Sequence, residues 1–113
     1  MTLEEYYDGL GDIAVMRANF SNDETIIKFL RMLPDDENYE NLKKAVADGD
    51  VEKAFRSAHT IKGVAQNLGL TEVYRIDFGI TEALRAGNME EAKKNLPELC
   101  RLYDVALERI GEL

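Results

Sequence analysis

Residues Asp50 to Leu68 read DVEKAFRSAHTIKGVAQNL, and the apolar ones recur at intervals of three and four. A helix turns about 100° per residue, so Val51, Ala54, Ala58, Ile61, Ala65 and Leu68 fall on one stripe, which is expected to face a core. Asp50 stands where an N-capping side chain is wanted, and Gly49 where the preceding helix should stop. The same junction recurs at Gly87-Asn88-Met89-Glu90. Its likeness to Gly49-Asp50-Val51-Glu52 ends with the caps, so shared helix-junction chemistry explains it better than an internal repeat.

The three-four rhythm extends in both directions. Leu3, Tyr6, Tyr7 and Leu10 mark a short opening segment closed by Gly9 and Gly11, and Ile13, Met16 and Phe20 mark the next. Ser21, with Glu24 three residues on, has the form of a capping box. Ile26, Ile27, Leu30 and Leu33 then stripe a helix predicted to end before Pro34, since proline disfavours helical geometry at the residue before it. Asp35-Asp36-Glu37 reads as a loop or first turn, and Tyr39, Leu42 and Val46 continue a further helix. Beyond Leu68, a helix is predicted from Thr71 to about Ala86, with Val73, Ile76, Ile80 and Leu84 inward and Gly79 an interior weak point worth roughly 1 kcal/mol. Met89, Ala92, Leu96, Leu99, Tyr103, Ala106 and Ile110 stripe the last one. Pro97 lies inside it; the apolar phase survives across the proline, which predicts a kink or short break rather than a new direction. No stretch alternates with the period of a strand. Short connections between amphipathic helices favour antiparallel neighbours, so the expected fold is all-α. It is an up-down antiparallel bundle of about four main helices with short extra helices at the N-terminus, one domain over residues 1–113.

Composition narrows the function. With 45% hydrophobic and 32% charged residues, the chain has the balance of a globular protein rather than a disordered one. Its apolar runs fall far short of the ~20 residues a membrane helix needs, and no basic start followed by an apolar stretch marks a secretory signal. The single cysteine cannot form an internal disulfide, which suits a reducing, cytoplasmic setting. The 22 acidic residues outnumber 14 basic ones for a net charge of -8, which argues against nucleic acid and anionic lipid as partners. A monomer is expected.

Chemistry concentrates around His59, about a quarter turn from the apolar stripe. Lys62, Gly63 and Gln66 follow it at three, four and seven, so they share its face, and Phe55 borders the same patch. Imidazole is a nucleophile near neutral pH. A lysine one turn away offers a point charge for phosphoryl oxygens, and a glycine beside it lets another protein come close. Gly63 costs roughly 1 kcal/mol in a helix interior relative to alanine, so its presence asks for a reason. Each residue also has an ordinary reading: His59 as a boundary side chain, Lys62 as a surface residue covering apolar neighbours with its stem, Gly63 as a helix-packing contact. Gln66 reads as plain polar surface, or as a hydrogen-bond partner of the imidazole.

Ala58-His59-Thr60-Ile61-Lys62-Gly63, completed by Asn67-Leu68-Gly69, resembles the signature of histidine phosphotransfer (HPt) domains. That signature is a histidine, any residue, an aliphatic, then Lys-Gly, with a second glycine ten positions after the histidine; here Ile61 stands where leucine is commoner. The junctions Gly49-Asp50 and Arg85-Ala86-Gly87-Asn88 also look like those of the family, and the likeness runs from about Leu10 to the C-terminus. The resemblance implies a four-helix bundle with the histidine exposed on a long helix. It implies His59 as phosphoacceptor, commonly at Nε2, Lys62 as the cation near the phosphoryl group and Gly63 as the clearance residue. The implied partners are response-regulator receiver domains or a histidine kinase, with any Mg²⁺ belonging to the receiver and no cofactor in this chain. Departures occur on the next helix. A glutamate is frequent near Thr81-Glu82, where the alignment is loose, and Tyr74, Asp77 and Gly79 fit no expectation.

Other functions fit less well. No glycine-rich nucleotide loop is present, so an autonomous ATP-dependent kinase is not expected. One His and one Cys are too few for a typical zinc site, and Cys100 fits the apolar face of the last helix as a small buried residue. Asp35-Asp36 and Glu90-Glu91 read as solvated helix ends. The alternatives to a phosphocarrier are a helical adaptor that binds receivers or kinases without carrying phosphate, and a domain excised from a hybrid or chemotaxis-type kinase. Retention of both His59 and Lys62 argues against the first; Met1 and the lack of a ragged linker favour a free-standing protein over the second.

Overall fold

Capping side chains and glycines divide the chain where the junction chemistry predicts. The computed structural model describes residues 1–113. Its α-helices are α1 (Leu3–Tyr7), α2 (Ile13–Asn19), α3 (Asp23–Leu30), α4 (Asn38–Ala47), α5 (Val51–Asn67), α6 (Thr71–Arg85) and α7 (Met89–Ile110), with a 3-10 turn, Leu33–Asp35, between α3 and α4. The Asp50 carboxylate accepts from the Lys53 amide and the Asn88 side chain from the Glu91 amide. Gly49 and Gly87 take left-handed φ of 71° and 76° before them. The two junctions are alike in structure as in sequence.

These turns are short, so α4, α5, α6 and α7 fold back on one another, α4 against α5, α5 against α6 and α6 against α7. The result is an all-α, up-down bundle whose buried apolar side chains form one cluster. On α5, Ala54, Ala58, Ile61 and Ala65 are buried as predicted, with Val51 half-buried at the start of the stripe. Alanine at three of these positions leaves little bulk between α5 and its neighbours.

The N-terminal helices brace the α5–α6 turn. Tyr7 donates its hydroxyl proton to the Leu68 carbonyl at 2.6 Å, and Tyr6 donates to the Ala106 carbonyl on α7 at 3.0 Å. The Asp12 amide bonds the Gly69 carbonyl and the Glu72 amide bonds the Leu10 carbonyl. Arg109 donates to the carbonyls of Tyr6 and Asp8 at the end of α1, a favourable place for a cation. Gly69 lies at the centre of this junction. Its φ is +68°, and an added Cβ would come within 2.9 Å of Met16 Cγ. Gly69→Ala should therefore destabilise the protein by at least about 2 kcal/mol, combining the left-handed penalty with displacement of Met16. A urea midpoint unchanged in Gly69→Ala would contradict this account of the turn.

Several boundaries differ from expectation. Asn22, not Ser21, caps α3: its side-chain oxygen accepts from both the amide and the hydroxyl of Thr25. That choice sets Asp23 and Glu24 in the first turn, where the helix dipole favours acids. The reciprocal capping box is at Thr2 and Glu5 instead. α3 ends at Leu30, so Leu33 and Pro34 belong to the 3-10 turn, where proline's missing amide costs nothing. α7 runs unbroken through Pro97, which is exposed, so water can reach the carbonyl left without its amide partner. Ile76 and Cys100 are half-buried rather than buried.

Candidate functional site

The outer face of α5 carries all five residues singled out from the sequence. His59 and Gln66 are exposed, and Phe55, Lys62 and Gly63 are half-buried at its edges. The imidazole stacks on the Phe55 ring, with centroids 5.8 Å apart and planes 27° apart. Phe55 in turn lies under the Arg85 guanidinium of α6, 4.9 Å from the ring centroid, and Arg85 pairs with Glu82 at 3.1 Å. Stacking thus sets the imidazole against a phenyl ring and leaves its nitrogens open to solvent. Gln66 makes no hydrogen bond to it.

Lys62 reaches across to α6. Its ammonium lies 5.5 Å from the centroid of the Phe78 ring, and Phe78, 45% exposed, packs 6.2 Å from Tyr74. The aromatic therefore holds the cation beside the histidine face without neutralising it.

Gly63 answers the question the sequence posed. A Cβ built there meets nothing within 4 Å. Packing against a neighbouring helix is therefore not what the glycine serves, and its helical geometry needs no positive φ. The space it leaves opens outward, next to His59.

Tyr74, Phe78 and Arg85 extend this face on α6 and were not anticipated. Their spacing of four and seven puts them on one helical stripe, but only the pairing of α6 with α5 shows that the stripe borders His59. Thr81 and Glu82 do not supply an imidazole-orienting carboxylate. Thr81 is buried and donates its hydroxyl to the Asp77 carbonyl at 2.9 Å, while Glu82 is taken by Arg85.

Asp77 is the buried surprise. It is 0% exposed; Oδ2 lies 3.3 Å from the Thr81 hydroxyl, and Oδ1 has no partner. Burial pushes its pKa up to about 7, against the opposing pull of the Thr81 hydroxyl and the Lys62 ammonium.

A groove lined by Phe29, Met32, Leu33, Val64 and Leu68 lies around the helix from His59, so the histidine occupies an open face rather than a pocket. No group of three or more His, Cys, Asp or Glu side chains is placed to hold a metal. No helix is long and apolar enough to cross a membrane.

A family model described as Hpt domain matches residues 24–109, which spans α3 to the penultimate residue of α7. The likeness therefore begins after α1 and α2, later than the Leu10 suggested by the motif and its junctions. No curated protein and no solved structure matches the chain.

Proposed function

The chain belongs to the Hpt domain family, and from that membership we propose that it is a phosphorelay carrier that accepts a phosphoryl group on His59 and hands it on. Hpt domains are phosphotransfer modules of two-component signalling. The observation that carries the assignment to His59 is the coincidence of an open imidazole with a glycine, Gly63, that no contact within the protein requires.

In this reading a receiver domain bearing an aspartyl phosphate docks on the α5–α6 face. An imidazole nitrogen, Nε2 by family resemblance, attacks phosphorus in line. The N–P bond forms as the acyl P–O bond breaks, and the electron pair leaves with the receiver's carboxylate. The other ring nitrogen keeps its proton. Lys62 swings from the Phe78 ring to the phosphoryl oxygens, where its charge offsets theirs. A second receiver reverses the steps. Mg²⁺ and the aspartate belong to the receivers, so this chain works as a carrier without a cofactor of its own, as a cytoplasmic monomer.

The test is transfer from phosphorylated receiver domains to the native protein, read on a phosphate-affinity gel with the label's acid lability checked. An acid-labile label supports the carrier. A folded protein that binds receivers yet never acquires label would replace it with the adaptor.

Gly63 gives a sharper version. Gly63→Leu places a side chain in the approach path while removing a poor helix former, so stability should hold or rise by up to about 1 kcal/mol. Transfer should fall about 100-fold, the penalty of a reacting pair held roughly 1 Å too far apart. Full-rate transfer by Gly63→Leu would show that close approach at this position is not needed.

A further inference from the structure

An imidazole that attacks phosphorus in line has to be held at a set angle, and a hydrogen bond to one ring nitrogen is the usual means. Around His59 the polar side chains are committed elsewhere. The Thr60 hydroxyl donates to the Arg56 carbonyl at 3.1 Å, and that of Thr81 to the Asp77 carbonyl. Glu82 accepts from Arg85 at 3.1 Å, and the Lys62 ammonium lies over Phe78. What touches the imidazole is the Phe55 ring, with 5.8 Å between centroids and 27° between planes.

That ring is itself fixed. Phe55 is half-buried and packs against the core, and the Arg85 guanidinium covers it from α6, 4.9 Å from the centroid. Arg85 stands in the last turn of α6, where the helix dipole favours a cation, and Glu82 one turn back holds it. Glu82, Arg85, Phe55 and His59 thus form a row of consecutive contacts running from α6 onto α5.

We propose that Phe55 is the positioning residue of His59: its ring, clamped by Arg85, takes the place of a hydrogen-bonding partner and holds the imidazole by its face. This rests on the phosphocarrier reading above, and it gives Phe55 a part in the reaction instead of a part in docking. A face contact restricts the side-chain rotamers but ties neither nitrogen. Either tautomer can therefore meet the receiver, and the nitrogen without the proton attacks.

His59 is the one histidine of the chain, so its two imidazole C–H protons report the stack directly in proton NMR spectra. On the alkaline plateau of a titration they should be displaced upfield by the Phe55 ring current. Phe55→Leu should bring them to the positions of free histidine, and Phe55→Tyr should restore the displacement. Arg85→Gln, a change at an exposed side chain, should shrink it. With a phosphorylated receiver at saturating concentration, Phe55→Leu should slow transfer about tenfold by freeing the imidazole to its other rotamers. Phe55→Tyr should recover the native rate, and the Kd for the receiver should stay the same throughout. Thermal melts verify folding, and Arg85→Gln carries the test if Phe55→Leu does not fold. Imidazole protons at free-histidine positions in the native protein overturn the inference and spare the carrier reading. So does weaker receiver binding by Phe55→Leu with an unchanged saturating rate, which would return Phe55 to the docking surface. Failure of the native protein to load from receivers that bind it overturns the carrier reading, while displaced protons would still establish the resting stack.

Discussion

Exchange of His59 for glutamine should abolish phosphate uptake entirely and leave the fold and receiver binding intact. The imidazole is exposed and its contact is the stack on Phe55, so little stability depends on it. Glutamine is a good helix former, and a solvent-facing substitution of this kind changes stability by about 0.5 kcal/mol or less. The chemistry has no such tolerance. An amide nitrogen has its lone pair delocalised into the carbonyl and cannot displace a carboxylate from phosphorus, so the loss is complete rather than graded. The measurement is the receiver-to-protein transfer assay, paired with a melt and with binding of the unphosphorylated receiver. Label persisting on His59→Gln would place the phosphate on another residue. Equal receiver binding by both proteins, with label on neither, would mean that the surface docks but does not accept phosphate.

What the sequence revealed of this site followed from helix periodicity. Phe55, His59, Lys62, Gly63 and Gln66 lie within one helix, where spacing alone fixes the face, and α5 carries them together on its outer side. The α6 half of the face was hidden for a physical reason. Tyr74, Phe78 and Arg85 share a stripe, but which stripe borders His59 depends on the crossing of α5 and α6, a tertiary quantity that no local pattern encodes. Boundaries failed where two neighbours had similar capping power: Ser21 and Asn22 can both accept a first-turn amide, and the Thr25 hydroxyl decides for Asn22. The burial of Asp77 has a local signal. The residue lies four after Val73, three before Ile80 and seven before Leu84, in phase with the buried stripe of α6, so an acid at that position already predicted a buried carboxyl.

That buried carboxyl makes stability fall with rising pH below neutrality, and removing its charge should stabilise the protein above pH 7. The native pKa of Asp77 is raised from 3.8 to about 7, so between about pH 4 and 7 the folded protein binds a proton that the unfolded chain has released. Stability from this group is therefore fully present below the unfolded value, is lost as pH rises through the window, and stays lost above about 7. At about 1.36 kcal/mol per pH unit, the ionised form costs on the order of 4 kcal/mol at alkaline pH. Asp77→Asn keeps the shape and the acceptor facing Thr81 but brings no charge. Its amide protons gain no evident partner in the core, which offsets part of the gain, so the net stabilisation above pH 7 should be about 1–3 kcal/mol. Urea unfolding of the two proteins at pH 5, 6, 7 and 8 decides the matter. The native midpoint should fall across this series by more than that of Asp77→Asn, with the two curves closest at pH 5. Parallel curves would mean that Asp77 is ionised without penalty in the native bundle, which its complete burial and orphaned Oδ1 oxygen make physically inconsistent unless Lys62 enters the core to meet it. In that event Lys62→Met should destabilise the protein by several kcal/mol, the usual consequence of leaving one member of a buried ion pair alone.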